Sequence, residues 1–203
     1  MAAHVLYGQD NDSYAFRAYP SLTKNQQVHQ SIVPDLSGAV HPGLRRCEGC
    51  GELLAKWDEP LSRLIVKKRK YDISCTYDGV TVVSERFESV CDASGLTGLS
   101  FQKLPDDPEF YAIQASETVA FDAERRKTRF LKQCDRCRHY DSVTGATPVF
   151  LKEGQHVPSR GFVRTDLEFG SGDEKHPLLL CGEDAASILK TSGLKGIDLT
   201  PIR

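Results

Sequence analysis

The sequence predicts an α+β protein that is internally duplicated, with two βαβ-like units each preceded by a Cys-x-x-Cys zinc knuckle. Three observations carry this prediction. Cys47-Glu48-Gly49-Cys50-Gly51 and Cys134-Asp135-Arg136-Cys137 repeat one two-thiol spacing. Ser94-Gly95-Leu96-Thr97-Gly98-Leu99-Ser100-Phe101 falls on Ser192-Gly193-Leu194-Lys195-Gly196-Ile197-Asp198-Leu199 without a gap, at an offset of 98 residues. The register holds backward from there, placing Val82-Val83 on Leu180-Cys181, Glu85 on Glu183 and Val90-Cys91 on Ile188-Leu189.

Taken in order, residues 1–40 give weak strand signals at Val5 to Tyr7 and Tyr14 to Tyr19. The first knuckle follows, and then Leu61 to Tyr77 alternates apolar and polar positions around a basic centre, as an edge strand or hairpin would. The first βαβ-like unit spans about 80–104. Val80-Thr81-Val82-Val83 is β-branched and suits a covered strand. Ser84 is a competent N-cap, and Phe87, Val90 and Cys91 form an i, i+3, i+4 stripe. Gly95 supplies the left-handed residue that ends the helix, and Leu99 and Phe101 alternate on the return strand. After the second knuckle, Thr147 to Phe169 reads as loops and short strands. The second unit, about 178–202, repeats the pattern with Leu178 to Cys181, Gly182 as N-cap, Ala185, Ile188 and Leu189 as the stripe, and Gly193 as the stop. The repeats are 1–105 and 106–203, and they are expected to pack as one compact unit.

Two CxxC pairs offer the four thiolates that one tetrahedral zinc ion takes, so Cys47, Cys50, Cys134 and Cys137 are the expected ligands of one structural Zn2+ per chain. Gly51 relaxes the first turn, whereas Arg138 stands at the matching place in the second. Redox chemistry is the competing use of a CxxC pair, but thioredoxin-like motifs open a long helix after a buried strand, a context absent around Cys47. His41 and His139 are near enough in sequence to replace a thiol or to support one, although an ordinary surface histidine is the better reading of both. Cys91 and Cys181 occupy apolar positions, where a thiol is an ordinary core residue.

No nucleophile elbow, phosphate-binding glycine loop, His-Glu-x-x-His or zinc-deaminase pattern is present, and Asp106-Asp107-Pro108-Glu109 reads as a turn. A four-thiolate zinc has no position left for water, so it would serve structure. Charges balance within each half, with 12 basic and 12 acidic residues in 1–105, and 14 and 16 in 106–203. The dense basic stretches are Lys67 to Lys70 and Arg125 to Arg129; solvated edges explain such runs more readily than phosphate contacts. No apolar run approaches the roughly 20 residues of a membrane span, and the N-terminus lacks a signal-peptide pattern. The expected location is the cytoplasm.

The combination of Cys47-Glu48-Gly49-Cys50-Gly51, Cys134 to Cys137 and the closing Leu178 to Ile202 segment resembles the bacterial double-CXXCG-motif family, best known as a paralogous set in myxobacteria. The resemblance covers about Asp35 to Arg203. Val82 to Phe87 through Gly95 to Phe101 also looks like a module of polymorphic-toxin immunity proteins. The resemblance implies a non-enzymatic, cytoplasmic inhibitor whose protein partner is a cognate toxin. The alternatives are a zinc-ribbon-like nucleic-acid-binding protein, with both basic runs on one face, and an enzyme whose site is assembled from scattered residues.

Overall fold

The computed structural model describes residues 2–10, 45–54, 64–67, 69–76 and 79–202. The expected strand at Tyr14 to Tyr19, His41, Lys68 and the two ends of the Leu61 to Tyr77 segment lie outside the described residues. The chain opens with β1 (Ala3–Tyr7) and β2 (Gln9–Asp10), and resumes after the first knuckle with β3 (Ile73–Cys75) and β4 (Thr81–Ser84). Helix α1 (Glu85–Ala93) leads to β5 (Leu99–Lys103), β6 (Phe110–Ala115) and β7 (Thr118–Val119). A single-turn α2 (Ala123–Arg126) precedes the hairpin β8 (Arg129–Gln133) and β9 (Tyr140–Thr144). Strands β10 (Phe162–Ser171) and β11 (His176–Gly182), helix α3 (Glu183–Thr191) and β12 (Asp198–Pro201) complete it.

Helices and largely antiparallel sheets give the α+β character that the sequence predicts. A seven-stranded sheet runs β12-β1-β11-β10-β9-β8, with β7 paired to β10, and a five-stranded sheet runs β2-β3-β4-β6-β5. Both strand–helix–strand segments form where expected. Ser84 caps α1 by accepting from the Phe87 N–H at 3.2 Å, and Gly95 and Gly193 end the helices at φ +60° and +70°. The two strands of each segment are parallel without being neighbours. β4 and β5 both pair antiparallel with β6 between them, and β11 and β12 both pair antiparallel with β1.

Alternation along each first strand divides its side chains between layers. Val83 and Cys181 join Phe87, Cys91, Ala185, Leu189 and Phe162 in one central core, so both helices pack into the same apolar interior. Val82 faces Leu64, Val66 and Leu104 on the outside of the smaller sheet. Leu180 faces Val5, Phe121, Val149 and Phe169 on the outside of the larger one. The Thr147 to Phe169 region differs from the expectation of loops and short strands. Its end enters a ten-residue strand, β10, whose buried Phe162, Val163, Thr165 and Phe169 place it centrally in the larger sheet.

Candidate metal centre

Each knuckle is a tight turn built on one ladder of backbone hydrogen bonds. In the first, an isolated bridge joins Arg46 to Leu53, the Cys47 N–H donates to Glu52 O at 2.8 Å, and the Gly51 N–H donates to Cys47 O at 2.7 Å. In the second, which is the tip of the β8–β9 hairpin, the Cys134 N–H donates to His139 O at 2.8 Å and the Arg138 N–H to Cys134 O at 2.9 Å. The residue after the second cysteine turns left-handed in both, at φ +79° for Gly51 and +63° for Arg138. Arg138 therefore adopts the glycine conformation at the cost of its own Cβ.

The sulfurs of Cys47, Cys50, Cys134 and Cys137 all lie within 4.8 Å of one another. The contacts across the knuckles are 3.8 Å for Cys47–Cys134 and 3.5 Å for Cys50–Cys137. A tetrahedron with metal–sulfur bonds of about 2.3 Å has sulfur–sulfur edges of about 3.8 Å, so the cluster fits such an ion. Gly49 permits this approach, because a Cβ there would stand 3.0 Å from Arg136 Cδ and 3.4 Å from Cys134 Sγ. Its own N–H points at Cys47 Sγ, 3.4 Å away.

Those N–H groups set the electrostatics. The backbone amides of Cys137 and Arg136 draw the Cys134 thiol down to about 6, and the Gly49 amide lowers Cys47. Cys50 has a favouring amide from Glu52, yet desolvation and the neighbouring sulfurs push it up to about 12. Cys137 is raised as well, chiefly by desolvation. Two sulfurs are thus prepared to ionise while two resist joining them, a conflict that a bound cation removes.

Polar contacts fasten the first knuckle to the larger sheet. Lys175, only 4% exposed, donates to Glu52 Oε2 at 2.8 Å and to Tyr140 O at 2.6 Å. Arg46 pairs with Asp173 at 2.9 Å, and the more exposed Arg136 with Glu48 at 2.7 Å. His139 is directed to Glu52, 3.8 Å away, and is not one of the clustered ligands. These anchors are absent from the sequence reading because Lys175, Asp173 and Glu52 carry no motif; only the fold brings them together.

The other expected features fall elsewhere. Cys91 and Cys181 are buried thiols, each pushed up to about 12 mainly by desolvation, while Cys75 donates to Thr76 O. Asp107 is buried in its turn, accepting from the Val66 N–H at 3.0 Å and pairing with Arg69 at 2.7 Å. Arg69 also pairs with Glu109 and covers the Phe110 ring, whereas Arg125 covers Phe150. Arg69 is thus held against β6 of the smaller sheet, whereas Arg129 lies within β8 of the larger one. A cleft of about 350 Å³ opens beside the centre, with Leu53, Leu54, Phe130, Tyr140 and Leu167 among its walls. No described helix is long and apolar enough to cross a membrane. The sequence matches no protein-family model and no curated protein.

Proposed function

We propose that this chain is a non-enzymatic protein-binding module, stabilised by one structural zinc ion on Cys47, Cys50, Cys134 and Cys137, and that it acts as an immunity protein by occluding a cognate toxin. The observation that carries the reading is the closed sulfur cluster. Four thiols supply the whole coordination shell of a tetrahedral ion, so zinc there lends rigidity and leaves no position for substrate. A binding module needs a rigid complementary surface and no catalytic constellation. The toxin as partner rests on the resemblance to the double-CXXCG and immunity families.

Internal duplication belongs to the same proposal, and the strand registers support it. Phe101 pairs with Ile113 in the smaller sheet, and Leu199, 98 residues on, pairs with Leu6 in the larger. Val82 pairs with Ala112, and its counterpart Leu180 pairs with Val5. On this reading β1 occupies in the second unit the place that β6 occupies in the first.

Metal analysis of protein purified without chelator tests the first part, with one zinc per chain expected and its loss expected in Cys134→Ser. Co-expression with the products of neighbouring genes tests the second. Restored growth and a one-to-one complex are expected with a toxic product, and a chain that rescues growth from none of them removes the immunity assignment.

A further inference from the structure

Three of the four exposed large hydrophobic side chains among the described residues cluster at the metal centre. They are Leu54 at 43% exposure, Phe130 at 37% and Leu131 at 53%. Leu54 directly follows the first knuckle's bridge, and Phe130 and Leu131 belong to β8 on the hairpin that carries the second. Strand β8 ends the path of the larger sheet, and all five of its residues are exposed. Among the described residues, no strand pairs with the outward-pointing backbone groups of β8. Phe130 and Leu54 also wall the cleft of about 350 Å³, where the Phe130 ring leans on Tyr140 at 4.8 Å.

The charge of the hairpin segment beside this apolar strip is one-sided. Residues 123–141 hold seven basic and three acidic side chains, in a chain whose net charge is −2. Arg129, Lys132 and Arg138 are exposed on the hairpin. Apolar anchors inside a charged rim are the usual anatomy of a protein-docking surface. Asp166 and Glu168 line the cleft itself, so an occupant fits with an uncharged apolar group inside and its negative charge outside on the hairpin, an arrangement open to a mixed-sequence peptide and closed to a nucleic acid charged at every phosphate.

We propose that the cleft and the outer side of β8 dock an extended acidic polypeptide segment of a partner protein, which inserts an apolar side chain between Leu54 and Phe130 and sets carboxylates against Arg129, Lys132 and Arg138. This rests on the protein-binding reading above and assigns it a surface. One wall comes from the first knuckle and another from the hairpin that carries the second, with β10 as the floor, so the sulfur cluster joins two of the cleft's walls. Metal capture and partner capture are thereby linked.

The test pans a random twelve-residue peptide display library against the full chain loaded with zinc. Enriched peptides are expected to carry Asp or Glu beside Leu, Ile or Phe. Their affinity should fall at least tenfold in Phe130→Ser and in the double variant Arg129→Glu with Lys132→Glu, both of which keep one zinc per chain. Excess chelator should release them. Peptides that bind wild type and both variants equally would overturn this surface while leaving the protein-binding reading intact. Absence of enrichment would overturn the surface too, as would oligothymidylate binding more tightly than any selected peptide; toxin co-purification then decides separately whether the broader reading survives.

Discussion

Removing the zinc ion proposed above tests how much of the fold the sulfur cluster holds. A cross-link between Cys47 and Cys134 closes a loop of 87 residues. The loop-entropy relation gives such a closure about 4–5 kcal/mol of stabilisation, by restricting the unfolded chain. Domain stabilities run from about 5 to 15 kcal/mol, so this is a large fraction of the total. Chelated protein and Cys134→Ser should both unfold at markedly lower urea, by about 4–5 kcal/mol at equal m-value. Cys75→Ser, outside the cluster, should leave the metal-dependent difference unchanged. A difference below about 1 kcal/mol between metal-loaded and chelated protein would refute the reasoning. It would mean that the knuckles separate within the folded state and that the shared core stands without them.

Four further expectations follow from single residues. Arg138→Gly should stabilise the protein by about 0.5–1 kcal/mol in urea, because a left-handed position is relieved of its Cβ, and should leave zinc stoichiometry at one. Gly98→Ala should cost about 3 kcal/mol or more in a melting experiment, since its Cβ would fall 2.3 Å from Phe162 O at φ +92°; Gly95→Ala, with open space at φ +60°, should cost about 1 kcal/mol. Leu189→Ala empties a fully buried position shared by both sheets and should cost about 2–5 kcal/mol. Alkaline conditions should destabilise the fold. Burial pushes the Cys91 and Cys181 thiols up to about 12, well above the ordinary thiol range, so their contribution is fully present below about pH 9 and is lost as pH rises toward 12. Between pH 8 and 10 each thiol should remove about 1.4 kcal/mol, measurable in urea, and the double Cys→Ala variant should flatten that dependence.

Local chemistry made part of this architecture readable. The helices over Glu85–Ala93 and Glu183–Thr191 start at Ser84 and Gly182 and stop at the glycines named from sequence, because caps and a 3.6-residue stripe are short-range signals. The four sulfurs were legible for the same reason, since CxxC spacing encodes ligation within one turn. The inserted strands were not. Phe110–Ala115 divides β4 from β5, and Ala3–Tyr7 divides β11 from β12 from the far end of the chain. Register across such sequence distances is chosen by the buried face, which no local pattern records. Lys175 illustrates the same limit at the site: a solitary lysine becomes a buried tie between Glu52 and Tyr140 only after β9, β10 and the first knuckle meet.

The proposed duplication also accounts for why the two sheets share one core. Gly98 follows the first helix and rests on Phe162 at the start of β10, while Gly196, its counterpart, rests on Ile73 at the start of β3. Thr97 O accepts the Phe162 N–H at 2.9 Å, and Lys195 O accepts the Asp72 N–H at 2.8 Å. Each unit thus places the turn after its helix on the strand that precedes the other unit's first strand. Reciprocal contacts of this kind are what the proposed duplication would give, a two-fold interface enclosed in one chain. The helices and glycine turns join the units at their core. Both knuckles instead meet on the outer hairpin of the larger sheet, where Arg46 and Lys175 secure them and where Leu54 and Phe130 face solvent together. On the proposed reading the thiols both restrict the unfolded chain and fix this exposed surface, so stability and recognition would depend on the same cross-link.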